Sequence, residues 1–246
     1  MAPCWTYDEI IEIRKRFFKN GTQSADVFDA LDVLGLPDQC ADLAIRPFRE
    51  DMIIAGPAFT YFGTKEPRYD EDLIIPEIDN FAAFEKLYPG CIIVINANDD
   101  GVVGHFGEFM SWNARNHGAA GCVIDGGCRD RRNVNMIPDW GMFARFSSPV
   151  ESKTRWRPKE IEQPIFITGA TKKFLRVNPG DWIFADLDSV LVIPKDAVLD
   201  VVAKVEQISE VEFKIRNALR EGGDYKELSN KYGREGKDML AGNKAL

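Results

Sequence analysis

The sequence predicts an α/β domain, and three observations carry that prediction. Residues 91–95 (CIIVI) and 120–124 (AGCVI) are short unbroken apolar runs, the pattern of strands buried on both faces. Segments 81–87, 107–117 and 129–136 read as helices placed before, between and after those runs. Turn signals, Pro89-Gly90 and Pro179-Gly180-Asp181, punctuate the chain. Strands alternating with helices make an α/β domain.

The remaining elements follow in order. Residues 8–19 place Ile10, Ile11, Ile13, Phe17 and Phe18 on an amphipathic helix that Gly21 ends. Ser24 is a good N-cap for a helix over 25–34, closed by Gly35. A strand is expected at 53–62, then a polar, irregular segment at 63–72, read as a mobile loop. The polar stretch 149–164, with Lys153, Arg155, Trp156 and Arg157, also reads as a loop. Short strands are expected at 164–168, 182–185 and 190–193, and a long helix at 195–220. The last twenty-odd residues are polar and read as a tail or a clasp on a partner. There is no internal repeat and no low-complexity tract.

Length and composition narrow the function classes. A chain of 246 residues that is 45% apolar suits one large domain with a real core. No stretch nears the roughly 18 uninterrupted apolar residues of a membrane helix. The first 19 residues lack an apolar leader segment, so a cytoplasmic protein is expected. With 31 Lys and Arg against 39 Asp and Glu, the net charge of −8 argues against a nucleic-acid surface or an anionic-membrane binder. It leaves room for a small anionic substrate gripped by a local arginine. The five cysteines, odd in number and widely spaced, suggest no disulfide framework and read as small buried hydrophobes. With only His105 and His117, a histidine-rich zinc site is excluded. Any metal should be held by oxygen, which favours Mg2+ or Mn2+.

The chemistry concentrates between residues 98 and 132. Gly107-Glu108-Phe109-Met110 opens a helix, and the free amides of a helix start bind anions. Asp125-Gly126-Gly127-Cys128-Arg129-Asp130 follows a buried strand, at the sheet edge where α/β domains bind ligands. A 2-oxo acid presents a carboxylate and a ketone oxygen. Arg129 can grip the acid and stabilise an enolate oxygen. Asp130 can hold a hard cation that polarises the ketone. Glu108 can hold a water of that metal or move protons. Each piece alone is ordinary: Arg-Asp pairs are common on surfaces, and a glutamate at a helix start complements the dipole. Gly101, Gly104 and Gly107 are spaced by three and do not match a dinucleotide loop.

Four segments carry a family resemblance: SADVFDALDVLG at 24–35, FGEFM at 106–110, GCVIDGGCRD at 121–130 and NPGDWIFADLDSVLVIP at 178–194. Together they resemble the RraA-like group, which contains class II 4-hydroxy-4-methyl-2-oxoglutarate and 4-carboxy-4-hydroxy-2-oxoadipate aldolases. The resemblance implies one swivelling β/β/α domain with a core of about 24–222 and a polar tail over 223–246. It implies a homotrimer or homohexamer with active sites at subunit interfaces. The family's pyruvate-binding turn falls on Gly107, Glu108, Phe109 and Met110, its substrate arginine on Arg129 and its metal-ligand aspartate on Asp130. Its acidic turn residue falls on Glu108. A further glutamate, from an E-x-x-x-R pattern on the C-terminal helix, reaches a neighbouring subunit and falls on Glu212, with Arg216; Glu206 and Glu210 are close rivals. His105, just before the turn, is a candidate substrate or proton-relay residue, whereas His117 complements a helix end. The departures are Asp188-Ser189 where the family has DG, Phe109 and Met110 in place of leucines, and the segments 63–72 and 149–164.

The implied activity is a divalent-metal-dependent carbon–carbon lyase acting through a pyruvate enolate. It would cleave a 4-hydroxy-2-oxo acid, decarboxylate oxaloacetate, or both. The alternative is the family's non-catalytic, ribonuclease-binding regulator, in which the aspartate after the key arginine is replaced and the C-terminal helix is absent. Asp130 and Glu212 favour the enzyme. A methyltransferase has little support, because no glycine-rich strand–loop–helix suits its cofactor.

Overall fold

The computed structural model describes residues 4–65 and 80–233. In α1 (Tyr7–Phe17), Thr6 and Glu9 cap the start reciprocally, and Ile10, Ile13 and Phe17 form the buried face. The start of α2 (Ser24–Val33) differs from the sequence expectation. Gln23 is the N-cap, paired with Asp26, and Ser24 is the first helical residue. The N–H and hydroxyl of Ser24 donate to the two carboxylate oxygens of Asp186, at 2.6 and 2.7 Å. A side chain distant in sequence thus performs the capping that Ser24 was expected to do. Asp186 also accepts the N–H groups of Asp188 and Ser189, so one carboxylate fixes both a helix start and a hairpin turn. Gly35 follows the helix with φ +77, the left-handed closure its position predicts.

The elements that follow are β1 (Arg46–Pro47), β2 (Ile54–Lys65), α3 (Asn80–Phe84), β3 (Ile92–Asn96), β4 (Gly104–Phe106), α4 (Glu108–Asn116), β5 (Gly121–Cys128), α5 (Arg131–Val134), β6 (Gly141–Ser147), β7 (Trp156–Ile161), β8 (Ile165–Thr168), β9 (Phe174–Val177), β10 (Trp182–Ala185), β11 (Val190–Ile193), α6 (Val198–Arg220) and α7 (Tyr225–Tyr232). The main sheet runs β1-β6-β5-β3-β2-β10-β11. Its centre, from β2 through β3 and β5 to β6, is parallel, and its flanks are antiparallel. The carboxyl ends of the parallel strands therefore share one edge, where open α/β sheets bind ligands. On the edge away from β3, β2 serves two further partners, β10 along its first half and β7 along its second. β4 lies beside the last residues of β5, pairing Gly104 with Gly127 and Phe106 with Cys128.

Both faces of the sheet are covered. Trp182, Phe184, Leu191 and Ile193 pack against α1, α2 and α6, while Ile183, Ala185, Val190 and Val192 join the larger core on the other side. The two-residue period of a strand produces this division, and it explains why both strands read as wholly apolar. On α6, Val198, Val201, Val202, Val205 and Ile208 recur at helical spacing and face the sheet. Full burial of each such side chain contributes about 1.5–3 kcal/mol.

The segment 149–164 is a loop only in its first half. Its second half is β7, which pairs with β2 across an irregularity between Phe62 and Gly63. Gly63 is needed there: a Cβ would lie 2.1 Å from the Trp156 ring. Of the expected mobile loop at 63–72, residues 63–65 belong to β2 and the rest lies outside the described residues. Within the polar C-terminal stretch, residues 225–232 form α7, capped by Asp224. Among the described residues, no helix is long and apolar enough to cross a membrane.

Asp26 is buried between α2 and α6. It accepts the Gln23 N–H at 2.8 Å and hydrogen-bonds with Glu212, whose other neighbour is Arg216 at 3.5 Å. Burial pushes its pKa up to about 6; the Gln23 N–H acts against this and Glu212 adds to it. A carboxyl whose folded pKa is raised stabilises the fold below its unfolded pKa, and that contribution is lost as pH rises through the folded value.

Two predictions follow from these packing contacts. Asp186→Ala should cost about 1–2 kcal/mol of stability in urea unfolding, as loss of a helix cap does; an unchanged midpoint would contradict its capping role. Asp26→Asn keeps an acceptor for Gln23 but cannot ionise. Its melting temperature relative to the parent protein should therefore climb between about pH 4 and about pH 8, and a pH-independent difference would contradict the buried-carboxyl assignment.

Candidate active site

A cleft of about 950 Å³ opens at the carboxyl edge of the parallel strands, between the β4–α4 turn, the end of β5 and residues 151–158. The pairing of β4 with β5 builds its near wall. The Arg129 N–H donates to the Phe106 carbonyl at 2.9 Å, which brings the β4–α4 turn against Arg129. Glycine is required at that approach. A Cβ on Gly107 would stand 2.7 Å from both Arg129 Cγ and Asp130 Oδ2, and one on Gly104 would stand 2.7 Å from Arg129 Cβ.

Gly107 is the N-cap of α4, and Glu108 is its first residue. The Glu108 N–H donates to Asp130 Oδ2 at 3.3 Å. The amides of Phe109 and Met110 come next in the first turn, where no carbonyl one turn back can receive them. Phe109 is 82% exposed and lines the cleft. The Glu108 carboxylate accepts from Asn133 Nδ2 at 3.0 Å, which ties it to α5.

Asp130 adopts a left-handed backbone, φ 59 and ψ 31, at the start of α5. Such a conformation in a non-glycine residue costs about 1–3 kcal/mol and is held only by its surroundings. It does not cap α5. It instead approaches Glu108 N–H and lies 3.4 Å from Arg129 Nε, which is buried and has no hydrogen-bond partner among the described residues. The far end of the guanidinium, Nη1, lies 3.7 Å from Glu151 Oε1. The structure therefore brings Gly107, Glu108, Phe109, Met110, Arg129 and Asp130 to one cleft.

Among the described residues, no group of three or more His, Cys, Asp or Glu converges as a metal cage. The donors facing the cleft are carboxylates, Asp130 with Glu108 beside it. That set fits a hard cation such as Mg2+, which keeps several waters and takes one or two protein carboxylates.

His105 lies beneath the cleft floor, its side chain fully closed to solvent. The Gly127 N–H donates to its Nδ1 at 3.1 Å, its Nε2 is 4.0 Å from Asp100 Oδ1, and its ring meets Trp156 edge-on. Burial lowers its pKa, so it stays neutral. His105 thus lines the cleft with its ring closed to solvent. His117 bonds the Asn113 carbonyl at the end of α4. In the far wall, Lys153 and Arg157 line the cleft, and the buried Trp156 stacks on Tyr61 and donates to the Ala97 carbonyl. Arg155 bonds the carbonyls of Glu151 and Lys153, holding the turn. Asp125, within the same glycine-rich block as Arg129, holds Thr168 and Arg145 and so docks the β8–β9 hairpin on the sheet.

Glu212 is not among the cleft residues of its own chain; its side chain meets Asp26 and Arg216. Glu151 and Asn133 are site residues that sequence reasoning missed. Asn133 had a weak signal, three residues beyond Asp130 on a short helix. Glu151 had none, because only the pairing of distant segments brings it to Arg129.

DlpA of Legionella pneumophila is 29% identical over 209 residues, 85% of this chain, although the match spans only 32% of DlpA. A protein of Halalkalibacterium halodurans named "Putative 4-hydroxy-4-methyl-2-oxoglutarate aldolase" is 31% identical over 184 residues, covering 74% of this chain and 77% of that protein. Among solved structures, RraAS2 of Streptomyces coelicolor, described as "an unusual member of the RNase ES inhibitor RraA protein family", shares the fold. It superposes with a TM-score of 0.70 at 21% identity, covering 83% of this chain and 96% of that one. The family model described as "RraA-like: Aldolase/RraA" matches residues 24–192, a span that holds both walls of the cleft, and the chain belongs to that family.

Proposed function

We propose that the cleft is the active site of a divalent-metal-dependent lyase that breaks the carbon–carbon bond beside the carbonyl of a 2-oxo acid. Retro-aldol cleavage of a 4-hydroxy-2-oxo acid and decarboxylation of oxaloacetate both leave the same pyruvate enolate. The observation that carries the reading is the convergence of Arg129, Asp130 and the start of α4 on Gly107. The name of the Halalkalibacterium relative points to the same chemistry.

The substrate carboxylate meets the amides of Phe109 and Met110, where the helix dipole favours an anion. Arg129 faces the ketone oxygen and stabilises the negative charge that grows on it as the bond breaks. Asp130, with Glu108 beside it, would hold Mg2+ or Mn2+. When bound, the cation supplies Lewis-acid polarisation of the ketone. In the retro-aldol direction the C4 hydroxyl loses its proton, the C3–C4 pair moves into the enolate, and C3 is later protonated. Glu108, oriented by Asn133, is placed to carry those protons. Trp156 and Tyr61 form an apolar side of the cleft that limits water. The reading includes a homotrimer or homohexamer in which Glu212 of one copy serves its neighbour's cleft, and active hetero-oligomers formed from Glu212→Ala and Asp130→Ala chains would support that.

The test needs only pyruvate. In deuterated water with Mg2+, the protein should exchange the methyl protons of pyruvate, followed by proton NMR, and a chelator should stop the exchange. Arg129→Ala should slow it by about a hundredfold or more, the usual effect of losing an oxyanion-stabilising group. Absence of exchange with either cation, in a folded protein, would overturn the lyase reading and favour the family's non-catalytic regulator.

A further inference from the structure

We propose that Glu151 is a positioning residue for Arg129, acting from the far wall of the cleft; its kinetic role rests on the lyase reading, and its structural role does not. Glu151 opens the segment that forms that wall, and its backbone is tied to the near wall. Gly104 and Glu151 form a parallel bridge, and the Gly104 N–H donates to the Val150 carbonyl at 2.9 Å. Just before this, the Ser148 N–H donates to the Cys128 carbonyl at 2.9 Å, next to Arg129 in the chain. Glu151 is thus fixed by the same strand pairing that fixes the arginine.

The side-chain geometry gives this placement a purpose. The stem of Arg129 rests on Gly104 and Gly107, where any larger residue would collide with it. Asp130 Oδ2 stands 3.4 Å from Nε, and Glu151 Oε1 stands 3.7 Å from Nη1. A guanidinium is planar, so two anions at different points of its rim fix the rotation of the plane and direct its remaining N–H groups. Arg129 and Asp130 are neighbours in sequence, yet they serve different partners. Were Asp130 to hold a cation, its carboxylate would share its charge with that ion, and Glu151 would remain as the anion that keeps the guanidinium in place. Its side chain is 60% exposed, so the pair adds little to stability, and its value lies in orientation.

Two readouts on the same proteins test the proposal. The first is pyruvate methyl exchange as a function of pyruvate concentration, for the parent protein, Glu151→Gln and Glu151→Asp. Glu151→Gln should lower kcat by about tenfold and change KM by less than about twofold, since misplacing a catalytic group acts on the reacting geometry. Glu151→Asp should restore part of kcat. The second readout requires no turnover. Phenylglyoxal labelling of Arg129, quantified by peptide mass spectrometry without metal and with Mg2+, should be several-fold faster in Glu151→Gln, with the larger difference when Mg2+ is present. Unchanged labelling together with unchanged kcat would overturn the proposal. If the parent protein exchanges no pyruvate, the lyase reading falls, and the labelling alone decides whether Glu151 holds Arg129.

Discussion

The close approach of β4 to the end of β5 is the constraint on which the site depends. The bond from the Arg129 N–H to the Phe106 carbonyl sets the register, and Gly104 and Gly107 supply the clearance. Without that pairing the first turn of α4 would not face Arg129, and Asp130 would have no Glu108 N–H to accept. The strain in the Asp130 backbone is held by the same arrangement. About 1–3 kcal/mol stored in one residue is small beside the burial along β3 and β5, where nearly every side chain is sealed from water. The rigidity of the parallel strands thus allows an irregular, polar edge to keep one shape.

Electrostatics at that edge run against the character of the whole chain. The protein carries a net charge of −8, yet Arg129, Lys153 and Arg157 line one cleft. Asp130, Glu108 and Glu151 line the same cleft, so its walls carry both signs of charge. Such an arrangement discriminates by position rather than by overall charge. Under the proposed function, a substrate would place a carboxylate at the start of α4 and an oxygen at Arg129, and a cation would find oxygen donors beside them.

Much of the fold was legible in the sequence where local pattern and tertiary role coincide. The strands at 182–185 and 190–193 fell where predicted, because each is a short apolar run flanked by turn residues and buried on both faces. The turn at 107–110 and the Arg129-Asp130 pair were legible because glycines, a helix start and charged residues occur together in sequence. What was missed depended on distant partners. Ser24 has the chemistry of a cap, but Asp186 supplies the carboxylate and shifts the helix start by one residue. β7 was read as loop because Arg157 and Lys159 alternate with Trp156 and Pro158, so the buried positions of the strand hold an indole and a proline rather than aliphatic residues. β4, only three residues long, has no periodicity to detect.

The same distinction separates two acidic residues, Glu151 and Glu212. Glu151 lies inside the span matched by the family model, and its own chain brings it to Arg129 through backbone bonds. Glu212 lies beyond that span, on α6, and within its own chain it faces Asp26 and Arg216. Burial is the main reason that Asp26 stays protonated into the mildly acidic range, and the neighbouring Glu212 adds to it. Glu212 thus couples α6 to the ionisation of Asp26 on α2, with burial the larger cause.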